Sequence, residues 1–425
     1  MFVCDFHIHS KYSRATSKSM DLDGISLGAK KKGLDLVGTG DFTHPKWLEE
    51  LKQKLKEVEN SGLYLYKDVF FMLTSEVSTV FETNGKIKKI HHVIHAPSFE
   101  IVEQINDSLS RYGDLSLDGR PTLSMRASEL VEILMSISKD IVVIPAHVWT
   151  PWFSLFGSKS GFDSVEECYE DQTKHIFALE TGLSSDPEMN WRLSKLDRFA
   201  LVSNSDAHSP HPWRLGREAN VFKLEELSYW EIFDSIKNKD PKRFLFTIEV
   251  DPNYGKYHYT GHRKCNVSLH PKESIKRGNV CPVCGKPLTI GVLQRVEELA
   301  DRLEGFVPQN AIPFKRLLPL YEIISFSLGV NKLYSKEVLK IHDTLIQKFG
   351  NELNVLLKVN YEKLSEVVDK KIADSIIRVR NGELKFIPGY DGVYGVPVFE
   401  DSQDQQKEKK LKRSIQKSLF EFEGP

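Results

Sequence analysis

Asp5-Phe6-His7-Ile8-His9-Ser10 follows a short apolar run, Phe2-Val3-Cys4, that reads as a β-strand. Residues two apart on a strand point to the same face, so His7 and His9 project together. Each ring needs a polar partner, and two imidazoles side by side at a strand end suit a metal ion better than an apolar core. A lone His-x-His pair is weak; what decides the fold is that later apolar runs end in the same way.

Residues 34–40 lead to Asp41, with His44 close behind, and residues 69–75 lead to Glu76. The short run His91-His92-Val93-Ile94-His95 carries three imidazoles. Residues 141–146 lead to His147, 176–179 to Glu180, and 200–205 to Asp206, with His208 two residues on. Helix-like segments at 24–32, 45–59, 127–138, 188–196 and 225–237 separate these runs. Alternating β and α implies parallel strands joined by crossover helices. Near-continuous apolar strands fit a sheet covered on both faces or a closed barrel. Barrels of that kind place their chemistry at the C-terminal ends of the strands. One strand-end carboxylate is an ordinary cap; His, Asp or Glu at nearly every strand end is a site.

These motifs resemble those of a known family. Asp5-Phe6-His7-Ile8-His9-Ser10, Gly40-Asp41, Ser75-Glu76, His92-Val93-Ile94, Ala146-His147 and Asn204-Ser205-Asp206-Ala207-His208 are similar to the successive metal-binding motifs of the PHP (polymerase and histidinol phosphatase) family. The resemblance covers residues 1–250 and implies an α/β fold, a distorted (βα)7 barrel holding up to three divalent metals at one end. Carried over by position, it implies the metal ligands His7, His9, Glu76, His92, His147, Asp206 and His208. Asp206 and His208, with Asp41 and Glu180, are the residues expected to carry catalysis. Two positions depart from the family pattern. Arg14 stands where many members have an acid or a histidine, and Phe42 follows Asp41 where the motif reads Asp-His. Whether Asp41, His44 or Glu180 ligates is left open, and strand alternation permits His92 or a neighbour. Asp5 reads either as a carboxylate steering an imidazole or as a structural acceptor.

The chemistry follows from the residue types. Clustered His and carboxylate ligands suit Zn, Mn or Fe, with Mg²⁺ or Mn²⁺ as alternatives for catalysis. Adjacent metals clamp a phosphate and lower the pKa of bound water. Gly-x-Ser-x-Gly and a Gly-rich phosphate loop are both absent, so water is the expected nucleophile.

A chain of 425 residues has room for two or three domains. Its 40% hydrophobic and 28% charged residues are those of a soluble globular protein. No apolar run is long enough to cross a membrane, and no signal peptide precedes the first strand. The net charge of −1 does not select a partner until it is resolved along the chain. Five cysteines, an odd number with one Cys-x-x-Cys, speak against a disulfide framework and for an intracellular, cytoplasmic setting.

After residue 250 the composition shifts. His262-x-x-Cys265 and Cys281-x-x-Cys284, with fifteen residues between the pairs, have the spacing of a structural zinc site, so residues 251–290 read as a zinc module. His270 rivals His262 as the fourth ligand. A redox Cys-x-x-Cys would want a βαβ context that is missing. Lys256, Arg263, Lys264, Lys272, Lys276, Arg277 and Lys286 meet only Glu273 between residues 256 and 290, and Tyr254, Tyr257, His258 and Tyr259 stand beside them. Aromatics among cations fit nucleic acid: rings stack on bases and charges hold phosphates. A solvated cationic face on a small zinc module is the alternative, and nucleic acid is the reading preferred.

Residues 291–400 read as a mainly helical region, with Leu293, Val296, Leu299 and Leu303 forming one stripe. Asn381-Gly382 reads as a hairpin turn. Residues 401–425 are charged and low in complexity and read as a flexible tail. The tail ends in Gln416-Lys417-Ser418-Leu419-Phe420-Glu421-Phe422, similar to the short peptide that docks on the replication sliding clamp through Gln416, Leu419 and Phe422. The usual aromatic pair is incomplete, because Glu423 follows Phe422.

Barrel, zinc pattern and helical region together resemble the endonuclease Q family across nearly the full length. The matching stretches include residues 6–17 and Gly261-His262-Arg263-Lys264-Cys265, and Arg14 agrees with this family. The resemblance implies a nucleoid-associated DNA repair nuclease. Its cut falls on the 5′ side of deaminated bases (uracil, hypoxanthine, xanthine) or abasic sites, and its archaeal members carry a clamp-docking tail. Trp149, Trp152 and Phe153, after His147, are candidates for the wall of a base pocket or for ordinary loop packing. A small-molecule phosphatase would share the barrel without needing the zinc module or the tail. A non-catalytic clamp- or DNA-binding scaffold would share those without needing the metal ligands.

Overall fold

The computed structural model describes residues 1–330 and 333–398; the tail with its clamp-docking peptide lies outside the described residues. The strands that carry the motifs are β1 (Phe2–Asp5), β2 (Leu36–Gly38), β3 (Val69–Thr83), β4 (Lys86–Ala96), β5 (Val142–Pro145), β6 (Ala178–Glu180) and β7 (Ala200–Val202). β1 pairs parallel with β2, and β2 with β3. β4 runs antiparallel to both β3 and β5. β6 and β7 form their own parallel pair. That pair is tied to the rest across two seams. On one side the Val148 N–H donates to the Glu180 carbonyl at 3.0 Å. On the other, the Phe6 N–H donates to Asn204 Oδ1 at 2.9 Å, and Ile8 bridges Ala207. The other edge of β1 pairs antiparallel with β8 (Ala219–Phe222), which pairs with β9 (Phe244–Glu249).

The exclusively parallel arrangement expected from the sequence is broken at β3 and β4. β3 continues past Glu76 to Thr83 and turns back at Asn84-Gly85, where Gly85 sits at φ 71°, to form a long hairpin. The remaining connections contain helices, as the apolar periodicity implies, but the helix expected over 45–59 ends at Lys54 and two short antiparallel strands, Lys56–Val58 and Leu63–Tyr66, lead from it to β3. Helix α1 (Leu22–Lys32) starts where the Asp21 carboxylate accepts the Gly24 N–H and stops at Gly33 in the left-handed region. Two apolar layers result. Cys4, Phe6, Leu36, Met72, Ile144, Ala178 and Val202 form one buried cluster with Phe222, Phe244 and Phe233, directly beneath His7. Val3, Val37, Phe71, Val143, Leu179 and Leu201 belong to a second, larger cluster.

The C-terminal region is helical, as expected: Leu320–Leu328, Lys336–Phe349, Glu352–Leu357, Tyr361–Ser365 and Lys370–Arg380 pack through Ile323, Val338, Leu345, Leu364 and Ile376. It is joined to the barrel. A short strand, β10 (Phe314–Arg316), adds in parallel to β9. The buried Lys32 of α1 pairs with Glu352 at 2.7 Å, and Glu352 also accepts from the Leu320 N–H and contacts His342 Nε2. Asn381-Gly382 does not make the expected hairpin turn. It ends the last helix, and the hairpin forms later, between Lys385–Ile387 and Val396–Val398.

Candidate metal centre and its relatives

Three ligand-bearing turns share a local signature. Asp41 (φ 51°), His147 (φ 31°) and Asp206 (φ 48°) all sit in the left-handed region that side chains other than glycine avoid. Each follows a barrel strand by two to four residues, so the backbone bends sharply just past the strand end. Such strain, of order 1–3 kcal/mol each, persists only where surrounding contacts over-determine it. Gly182 shows how tight the packing is: a Cβ there would stand 2.5 Å from the His147 Cβ.

His7, His9, Glu76 and Asp206 bring four ligand atoms within 4.8 Å of one another, and Glu76, His91 and His147 form a second such group. Glu76 is common to both. Its Oε1 lies 2.8 Å from His91 Nδ1 and 3.1 Å from His147 Nε2, and its Oε2 lies 3.3 Å from His9 Nε2. The donor set fits a metal on a specific observation. His7 Nε2 is buried with no hydrogen-bond partner among the described residues, 3.7 Å from Glu76 and 3.6 Å from Asp206. Burial alone would lower the pKa of His7, but Glu180, Glu76 and Asp206 outweigh it and hold the ring well above its ordinary range. His9 behaves alike, with Asp41 the main opposing charge. The pocket therefore demands positive charge, which divalent ions supply directly.

His92 does not join these groups. It is fully buried, with Nε2 2.9 Å from the Thr79 hydroxyl and Nδ1 2.8 Å from the Tyr169 hydroxyl. His91 takes the expected place, because pairing of Glu76 with Val93 puts odd-numbered residues of β4 on the face of Glu76. Burial pushes the His91 pKa down to about 4, so the ring is neutral and able to ligate.

Asp41 and Glu180, expected to carry catalysis, each bond the histidine ring nitrogen that points away from the ligand groups. Glu180 lies 3.0 Å from His7 Nδ1 and also accepts the His147 and Asn204 N–H groups. Asp41 lies 3.1 Å from His9 Nδ1 and accepts from Ser10 and Ser13. Both fix the rings so that Nε2 faces the cluster. His208 packs against His9 with ring centroids 4.3 Å apart and planes tilted by 41° but lies outside both ligand groups. Its Nδ1–H donates to the Asp206 carbonyl, leaving Nε2 with a lone pair. His44 is removed from the cluster, stacked on Tyr12 and bonded to the Ser116 carbonyl. Asp5 steers no imidazole; it holds the Ser205 and Gly216 N–H groups. Arg120, which the sequence gave no reason to single out, places Nη1 3.1 Å from Glu76 Oε2.

Of the three aromatic candidates, Trp149 is buried and bonded to Asn190, whereas Trp152 is 43% exposed and meets Tyr257 of the zinc module at 5.4 Å. Phe153 packs against His91.

In the second module His262, Cys265, Cys281 and Cys284 converge within 4.8 Å. His270 instead caps the helix Pro271–Lys276 through the Lys272 N–H, which decides between the two histidines. Burial opposes ionisation of Cys281, but the N–H groups of Cys284 and Val283 pull its thiol down to about 6, the thiolate form a metal requires.

The strand ends gather His and carboxylate side chains into two groups sharing a glutamate, a donor arrangement suited to divalent metals and to metal-assisted phosphoester hydrolysis. The lesion-specific endonuclease PfuEndoQ of Pyrococcus furiosus matches 97% of this chain and 98% of its own at 34% identity, with a TM-score of 0.85. An endonuclease Q bound to a 27-mer duplex with an abasic lesion at its active site matches 94% of this chain and 97% of its own, also at 34% identity, with a TM-score of 0.83. The chain belongs to the endonuclease Q family, metal-dependent enzymes that hydrolyse phosphodiester bonds. The uncharacterized protein MJ0043 of Methanocaldococcus jannaschii is 36% identical over 60% of this chain, and the match spans 32% of MJ0043. A family model described as the MJ0043 C-terminal domain matches residues 319–383, within the helical region. Among the described residues no helix is long and apolar enough to cross a membrane.

Proposed function

We propose that this protein is a DNA repair endonuclease that hydrolyses the phosphodiester on the 5′ side of abasic sites and of deaminated bases, namely uracil, hypoxanthine and xanthine. The observation that carries the reading is the pair of ligand groups joined by Glu76, in a chain that matches endonuclease Q over nearly its whole length. His7, His9, Glu76 and Asp206 would hold one ion and Glu76, His91 and His147 another, with His208 at the rim. Such ions, Zn²⁺ or Mn²⁺ by donor type or Mg²⁺, supply Lewis acidity and a water nucleophile near neutral pH. Glu180 and Asp41 keep His7 and His9 oriented, and buried walls limit access of bulk water. In the hydrolysis the water oxygen bonds to phosphorus, one P–O ester bond breaks, and a proton passes to the leaving oxygen.

Lesion selection requires a base out of the stack, or a missing one. Phe153 packs against His91 and Trp152 meets Tyr257, so these rings would border an extruded base, and a backbone N–H would donate to the carbonyl that uracil and hypoxanthine share. Zinc on His262, Cys265, Cys281 and Cys284 would brace the basic module against the duplex, and the tail would dock on the sliding clamp through Gln416, Leu419 and Phe422. An intracellular, nucleoid-associated location belongs to the same proposal. The test is incubation of end-labelled duplexes carrying one uracil, hypoxanthine or abasic site with Mg²⁺, Mn²⁺ or Zn²⁺. A nick on the 5′ side that chelator abolishes is expected; turnover of a small phosphomonoester without any nicking would replace this reading with a phosphatase.

A further inference from the structure

Arg120 reaches the ligand cluster from a loop that is clamped to the site's own supports. The Gly119 N–H donates to the Tyr12 carbonyl at 3.1 Å, and the Gly119 carbonyl accepts the Thr43 hydroxyl at 3.2 Å. Asp118 accepts the backbone N–H groups of both Arg120 and Arg14. A Cβ on Gly119 would lie 2.3 Å from Asp41 Oδ2 and 2.4 Å from the Ser13 hydroxyl. The residue before Arg120 is thus pressed against the carboxylate that orients His9, leaving this loop little freedom over where it delivers a guanidinium.

A structural role is the first account to weigh: a cation beside a buried glutamate offsets its charge. Glu76 already lies 2.8 Å from His91 Nδ1, 3.1 Å from His147 Nε2 and 3.3 Å from His9 Nε2. Glu76 therefore does not depend on Arg120 alone. The guanidinium also offers five N–H donors, of which Glu76 takes one, and no other acceptor among the described residues bonds its head group. Its side chain is 29% exposed, matching Asp206 at 29% and His208 at 30%, so it opens on the same mouth. A planar fork with spare donors at the mouth of a phosphoesterase site matches two oxygens of a phosphate.

Building on the nuclease reading, we propose that Arg120 binds a non-bridging oxygen of the scissile phosphate and stabilises the charge that grows there as the ester bond breaks. The test compares Arg120→Ala and Arg120→Lys with the wild type on an abasic duplex, with metal per chain measured in each. Removing one such donor is expected to lower kcat about 10²–10³-fold. Metal content should stay near wild type, and KM should rise far less than kcat falls. Lysine should restore only part of the loss, because it lacks the planar fork. A sulfur at the contacted oxygen should slow the wild type for one phosphorothioate diastereomer and matter much less in Arg120→Ala. The proposal is overturned if Arg120→Ala loses metal in step with activity, if it cleaves like the wild type, or if both chains respond identically to each diastereomer. Calorimetry with inorganic phosphate separates this inference from the nuclease reading. If the wild type cleaves no lesion duplex, that reading fails; equal phosphate binding by wild type and Arg120→Ala then also rejects the role of Arg120, and weaker binding by the variant supports it.

Discussion

His7 Nδ1 lies 3.0 Å from both carboxylate oxygens of Glu180, and the opposite ring nitrogen, Nε2, has no hydrogen-bond partner among the described residues and faces Glu76 and Asp206. The glutamate at the end of β6 therefore works through the imidazole. Glu180→Gln keeps the shape but removes the charge that sets the ring's tautomer. The expected result is a loss of about 10–100-fold in metal affinity or cleavage with the fold intact, as for other carboxylates behind metal-binding histidines. Metal titration alongside cleavage assays reads it. Loss of cleavage at full metal affinity would mean that Glu180 acts on substrate itself.

His91 and His92 are adjacent but opposite in role, and paired substitutions separate them. His91→Ala should remove a ligand from the Glu76 group, lowering metal content and cleavage while changing the melting temperature little. His92→Ala should leave metal content unchanged. It strands the buried Tyr169 hydroxyl and leaves Thr79 only its 3.4 Å bond to the Ile90 carbonyl, and an unsatisfied group of that kind costs roughly 1–3 kcal/mol. Denaturant unfolding and elemental analysis of both variants decide the matter, and the opposite pattern would return the ligand assignment to His92.

These two histidines mark where sequence reading ended. Apolar runs capped by His, Asp or Glu were enough to place the strands and to nominate His7, His9, Glu76, His147 and Asp206, because burial and ligand chemistry both act locally. A period of two states that His91 and His92 face opposite ways, not which one faces in. That depends on the hairpin register pairing Glu76 with Val93. Arg120 was invisible for a similar reason: its loop carries no ligand motif, and only packing of Gly119 on Asp41 delivers it to Glu76. Asp41 and Glu180 were found by position, yet that each bonds an imidazole is a matter of depth in the barrel, which spacing does not encode. The Cys and His spacing of the second module was legible because the ligands there define the fold of their own short loops.

Cys281→Ser tests that module. The Cys281 thiol is drawn down to about 6 and sits with His262, Cys265 and Cys284, so serine should cost one bound zinc per chain. Residues 251–290 should then become more sensitive to protease, and duplex affinity should fall before the barrel melts. Unchanged zinc content would show that these side chains hold no metal.

The tail offers the last test, and it concerns a partner. Residues 401–425 contain few apolar side chains beyond Leu411, Ile415, Leu419, Phe420 and Phe422, too few to form a core of their own. Docked on a clamp, Leu419 and Phe422 would fill one hydrophobic pocket while Gln416 bonds beside it, and anchors of this kind carry roughly 2 kcal/mol or more each. Lys409, Lys410, Lys412, Arg413 and Lys417 would add attraction to an acidic surface, a contribution that should weaken with salt. A chain ending at Phe399 keeps the entire metal centre, the zinc module and the helical region, so its intrinsic cleavage of a damaged oligonucleotide should equal that of the full chain. Stimulation by the clamp should disappear, and Leu419→Ala with Phe422→Ala should reproduce that loss. Undiminished stimulation of the truncated chain would show that the last residues have no part in clamp binding.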